Sequence, residues 1–136
     1  MGARLIFSHI RVGTNDFVAS LRFYDAVMPT LGYNCEDAGD SYAGYGLQEN
    51  IGSGQNHLWL RLPADGEAAT SGNVTNVALL AQSREQVDSF YFAALAAGAS
   101  DDGVPELRDV QPHYYATYVR DPDGHKLAVV CHRADG

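Results

Sequence analysis

The sequence predicts an α+β fold of two tandem βαβββ modules, and three observations carry that reading. The first is an internal duplication. Ser8-His9-Ile10-Arg11-Val12 leads through Thr14-Asn15-Asp16 into an apolar-periodic segment carrying Phe23-Tyr24, and Thr75-Asn76-Val77-Ala78-Leu79 leads through Gln82-Ser83 into one carrying Phe90-Tyr91. At one constant offset His9 falls on Asn76, Asp16 on Ser83, Phe23 on Phe90 and Tyr24 on Tyr91. Two copies of so long a unit describe a duplicated half-domain, because a solenoid needs more repeats to bury a continuous core. The second is the order of periodicities, which in each copy runs from alternation to helical spacing and back to alternation. The third is size: 136 residues at 46% hydrophobic content suit one packed domain and argue against disorder.

Each element has a local reason. Leu5 to Val12 alternates, with Ile6, Ser8, Ile10 and Val12 on one face and Phe7, His9 and Arg11 on the other. Asn15 or Asp16 supplies an N-cap, and Phe17, Leu21, Tyr24 and Met28 make the helical stripe that follows. Pro29 and Gly32 end this helix near Leu31. Tyr33 to Asp37, Ser41 to Leu47 and His57 to Leu62 then read as short strands, divided by Gly39-Asp40 and Gly52-Ser53-Gly54. Pro63 to Asn73 is a linker rich in Ala, Gly and small polar residues. The second copy repeats the order: a strand from Val74 to Ala81, Ser83 as N-cap, a helix from Arg84 to Ala97 stopped by Gly98, and a weak strand around Leu107. Strands from Tyr114 to Arg120 and from Lys126 to His132 flank the turn Asp121-Pro122-Asp123-Gly124. We read one domain over 1–136, with module one at about 4–63, the linker at about 64–73 and module two at about 74–133. Neither half buries its sheet alone, so function belongs where the two meet.

Composition excludes several classes. A net charge of −8 argues against a phosphate backbone or an anionic membrane as partner. No apolar run reaches the length of a membrane span, and Met1-Gly2-Ala3-Arg4 does not open a signal peptide. Two cysteines, Cys35 and Cys131, give no disulfide framework, and the default is a reduced, cytoplasmic protein. There is no P-loop, dinucleotide fingerprint, nucleophile elbow or Cys-X-X-Cys. Asp121 to Gly124 lacks the spaced oxygen ligands and closing Glu of a calcium loop.

The chain resembles the vicinal oxygen chelate superfamily, which holds glyoxalase I, extradiol dioxygenases, fosfomycin-resistance and bleomycin-binding proteins. The best-matched stretches are Ser8 to Val12, Ser20-Leu21-Arg22-Phe23-Tyr24 and the tail from Tyr114 to Leu127, which is similar to a bacterial glyoxalase-like subgroup. The resemblance implies paired modules around a half-barrel cleft, and homodimers. It also implies metal ligands on the first and last strands of each module. His9 matches the first such position and Asn76 its counterpart, Ala128 takes the usual Glu position, and the fourth falls near His57 or Leu58.

A tightly held divalent ion usually needs three or more good donors. Here the cleft offers His9, at most also His57, and a neutral amide, so the leading expectation is no cofactor. A Zn²⁺, Ni²⁺, Mn²⁺ or Fe²⁺ site at His9 and His57 completed by water is the alternative. His9 is the principal polar group and the candidate base, and Tyr115 the candidate acid. Trp59 and Tyr115 are read as pocket walls, Asn76 and His57 as hydrogen-bonding neighbours, and Arg61 and Arg108 as partners for an anion. His113 lies on a loop over the cleft, while His125 and His132 read as exposed. The leading function is binding of a modest, partly apolar metabolite or xenobiotic in a cleft with a degenerate metal site. A metal-dependent lyase or dioxygenase, and a non-catalytic dimerisation module, are the rivals. A cleft plugged by Trp59 and the tail tyrosines would favour the last.

Overall fold

The computed structural model describes residues 6–72 and 75–134. The expected strand starts at Leu5 and Val74, and the linker's end at Asn73, lie outside the described residues. The first half runs β1 (His9–Gly13), α1 (Phe17–Val27), a 3-10 turn (Met28–Leu31), β2 (Asn34–Ala38), β3 (Tyr42–Gly46) and β4 (His57–Arg61). The second runs β5 (Asn76–Leu80), α2 (Arg84–Ala96), β6 (Ser100–Asp101), β7 (Glu106–Leu107), β8 (Tyr115–Arg120) and β9 (Lys126–Cys131). The fold is mixed α+β with two open sheets, ordered β1-β4-β3-β2 and β5-β9-β8-β6, and β7 also pairs with β8. In each, the first strand lies parallel to the last and the others are antiparallel.

Both helices start at side-chain caps: the Asp16 carboxylate accepts from the Ala19 amide and the Ser83 hydroxyl from the Gln86 amide. Each cap contributes on the order of 1 kcal/mol. Asn15 does other work, since its side-chain amide accepts from and donates to the backbone of Ala69 and ties the connecting segment down. The second strand of the second half departs from expectation. It is split into β6 and β7 because Gly103, at φ +152°, and Pro105 interrupt the pairing edge.

One continuous core joins the halves. It takes Phe23, Tyr24, Val27 and Met28 from the first helical region, Val87, Phe90, Tyr91 and Ala94 from α2, and inward residues of both sheets. Alternation therefore gives each sheet a helix face and an open face. Ile10, Val12, Leu58, Leu60, Ala43 and Tyr45 are on the helix face of the first sheet. His9, Arg11, His57, Trp59, Arg61 and Gly44 are on its open face, as their pairing register requires.

The turn after β8 does more than reverse the chain. Asp121 is buried and accepts the Tyr24 hydroxyl at 2.6 Å and the amides of Asp123 and His125. Asp123 accepts the Asn15 amide and the Ser20 hydroxyl, each at 2.8 Å. His125 is half-buried rather than exposed, with Nε2 donating to the Gly13 carbonyl at 2.6 Å. The second half thus grips α1 and the chain leading into it through three side chains, Asp121, Asp123 and His125. Burial, with the Asp121 carboxylate next, pushes the Tyr24 phenol well up. Burial raises Asp121 as well, whereas at Asp123 burial acts upward but is outweighed by hydrogen bonds from Thr14, Asn15 and Ser20, which hold it low.

Candidate functional site

The open face of the first sheet carries an aromatic floor. The rings of His57 and Trp59 stack at 5.4 Å and 15°. They lie across β3 because that strand has no side chains beneath them. A Cβ on Gly44 would stand 2.2 Å from the Trp59 ring, and one on Gly46 2.5 Å from His57 Nε2. Glycine in a strand interior weakens it, and its use here is the close approach of another group. Trp59 remains half-exposed, whereas His57 is 3% exposed.

His57 is enclosed. Its Nδ1 lies 2.5 Å from the Gln55 carbonyl and its Nε2 against the Glu36 carboxylate. Both ring nitrogens face acceptors, so neither lone pair is turned toward the open face. Glu36 reaches it through a bulge in β2 between Cys35 and Asp37, and also accepts from the Gly52 amide. His9, the strand partner of His57, is exposed, with Nδ1 at 2.9 Å from the Ser8 hydroxyl. Arg11 sits directly opposite Trp59, and Arg61 is next along on the same face, opposite Gly13.

Where the halves meet, a pocket of about 190 Å³ opens between the ends of β1 and β5. Arg11, Asn76, His125, Lys126 and the hydroxyls of Ser71 and Thr75 contribute to its walls. Val12 and Val77 add apolar wall to these polar groups, and the pocket adjoins the aromatic floor through Arg11, which belongs to both. Asn76 is thus brought to the seam, as its duplication with His9 predicts, and Lys126 is its strand partner.

The second sheet presents a different open face. Tyr114 and Tyr118 cover Ala116, Ala128 and Val130, which are buried beneath them. The Arg108 guanidinium lies over the Tyr118 ring at 5.2 Å and donates to Glu106 and to the Val104 and Ala116 carbonyls. Arg108, expected to meet a ligand anion, is therefore engaged by its own loop. Tyr115, expected on the cleft wall, is on the helix face instead. Its hydroxyl donates to Asp88 of α2 at 2.6 Å and Arg84 lies over its ring. Burial, and then the Asp88 bond, push its phenol up to about 12, so this proton is held firmly and away from the seam. His113 is exposed in a tight turn at φ +64°. The plugging expected of a dimerisation module thus occurs on the second sheet and not at Trp59.

Register also fixes the fourth metal position. Asn76 pairs with Lys126, and Ala128 is one step further along the same face. The same relation from His9, which pairs with His57, leads to Trp59 and not to His57 or Leu58. The four positions are therefore His9, Trp59, Asn76 and Ala128, with Lys126 adding a positive charge beside Asn76. Among the described residues, no three His, Cys, Asp or Glu side chains are grouped to hold an ion. One imidazole, an indole, an amide and a methyl do not fit a divalent metal.

Several of these residues escape a sequence reading. Glu36 depends on a bulge, which appears only once the strands are paired. Arg11 is legible as a face-mate of His9 by simple alternation. The clearest overlooked signal is the pair Gly44 and Gly46, alternating in the strand whose Gly44 pairs with the lone tryptophan.

A comparison with curated proteins found no match. Among solved structures, a glyoxalase/bleomycin resistance protein from Albidiferax ferrireducens T118 is 35% identical. The match has a TM-score of 0.81 and covers 93% of this chain and 98% of that one. A glyoxalase-related enzyme from Fulvimarina pelagi (23% identity, TM-score 0.70, covering 98% and 96%) shares the fold. So does a glyoxalase/bleomycin resistance protein/dioxygenase family enzyme from Burkholderia phytofirmans PsJN (21%, 0.67, covering 93% and 98%). Residues 6–129 match the sequence model of the Glyoxalase/Bleomycin resistance protein/Dioxygenase superfamily. With its duplicated βαβββ halves and a pocket at the seam between them, this chain belongs to that superfamily.

Proposed function

We propose that this protein binds a modest, partly apolar small molecule on the open face of its first sheet, without a tightly held metal. The observation that carries this is the half-exposed Trp59 indole, laid over Gly44 beside a pocket of mixed polar and apolar lining. Small-molecule sites are commonly apolar surfaces with a few placed polar groups. Here Trp59 supplies the surface, while His9, Asn76 and Arg61 supply directional contacts. We infer a homodimer, as is typical of the superfamily, with exposed Phe92 and Leu107 among the apolar residues it would cover. A lyase or dioxygenase of the metal-dependent kind would need donors that these positions lack.

Trp59 is the only tryptophan, so its emission reports on this face alone. A library of flat metabolites and xenobiotics, bleomycin included, is titrated against intrinsic fluorescence. The expected result is saturable quenching by at least one compound, with loss of its calorimetric binding in Trp59→Ala. If no compound moves the emission, the face is no ligand site and the dimerisation reading takes its place.

A further inference from the structure

We propose that the ligand is a flat aromatic carboxylate, its ring on Trp59 and its anion held between Arg11 and Arg61. This rests on the reading of the face as a ligand site. The chain carries a net charge of −8, yet this face carries two arginines, Arg11 opposite Trp59 and Arg61 two residues beyond Trp59 on β4. Arg108 pairs with Glu106, Arg120 and Lys126 share Asp102, Arg84 lies over the Tyr115 ring and Arg133 donates to Gln82, whereas Arg22 on α1 has no such partner among the described residues. Among the described residues, neither Arg11 nor Arg61 forms an ion pair, and the only bond of the Arg61 guanidinium is from Nε to the adjacent Leu62 carbonyl.

The carboxylates on the same face are spoken for. Glu36 serves His57 and the Gly52 amide, and Asp37 faces the Tyr42 hydroxyl at 3.4 Å. Both lie on β2, at the far edge of the sheet from Arg11. Nothing on β1 stands opposite Arg61, because its partner there is Gly13. Arg11 and Arg61 are therefore a diagonal pair beside the Trp59 indole, with Ala69 of the connecting segment packed near Gly13 and Tyr42 opposite Arg61 on β3. Two guanidinium forks beside an aromatic plane suit a planar anion joined to a ring, through bidentate bonds at one end and stacking at the other. The pocket beyond Arg11, with Asn76 and Lys126 in its walls, lies on the far side of that anion from the indole.

Calorimetry of the full chain with 2-naphthoate and its neutral isostere 2-naphthamide tests this. The expected result is naphthoate bound at least about tenfold more tightly, since hydrogen bonds to charged groups carry this much. In the double variant Arg11→Gln, Arg61→Gln the preference for the acid is expected to vanish while thermal unfolding stays as in the parent. Equal binding of acid and amide by the parent protein would overturn the anion assignment and leave the aromatic floor standing. Binding of neither, with unquenched Trp59, would overturn the ligand-site reading as well.

Discussion

Asp121→Ala is expected to destabilise the fold by roughly 2–4 kcal/mol, since several buried donors lose their acceptor at once. The carboxylate takes the Tyr24 hydroxyl and the amides of Asp123 and His125. Removing it strands a phenol that is fully buried against the shared core. Part of the loss is offset because burial makes the carboxylate itself costly to hold ionised. Tyr24→Phe is the matched control. It removes one bond and leaves the turn otherwise satisfied, at a cost of about 1 kcal/mol. Urea unfolding of the two variants measures both quantities. An Asp121→Ala midpoint equal to that of the parent would show that the turn does not fasten the halves together.

The second large effect concerns binding. Gly44→Val is expected to abolish ligand binding on the first sheet, by about tenfold or more, since the new Cβ would stand 2.2 Å from the indole. The indole must leave its place. The backbone itself admits a side chain, since Gly44 is not among the positive-φ glycines. Valine also suits a strand, which limits the loss of stability to about 1–3 kcal/mol. Calorimetry with the compound that quenches Trp59, together with the Trp59 emission maximum, separates displacement of the ring from unfolding. Unchanged affinity and emission would mean that the indole does not rest on β3.

The two halves differ in how far sequence reasoning reaches, and the reason is local. In β1 and β4 the apolar and polar residues alternate cleanly. Ile10 and Val12 face the helices while His9 and Arg11 face out, as the pattern requires. In β8 and β9 both faces are apolar: Ala116, Ala128 and Val130 oppose Val119, Leu127 and Val129. Alternation then divides the residues into two sets without saying which set meets the helix, and Tyr115 was assigned to the wrong one. The Asp121 turn was legible as a reversal, but its bonds to Tyr24, Asn15 and Ser20 join residues distant in sequence and depend on packing. Likewise the parallel register of β1 on β4, which moves the fourth metal position from His57 to Trp59, is set by three-dimensional pairing. The lost Glu at Ala128 and the Asn at position 76 were already visible in the chain.

The central claim is that these four positions, His9, Trp59, Asn76 and Ala128, leave a ligand cleft without a metal centre. Metal content by mass spectrometry tests it most directly, on untagged protein reconstituted with Zn²⁺, Ni²⁺, Mn²⁺ and Fe²⁺ and then dialysed. The account predicts far less than one ion per chain for every metal, with no difference between the parent and His9→Ala. Near-stoichiometric metal that survives dialysis and is lost in His9→Ala would contradict it.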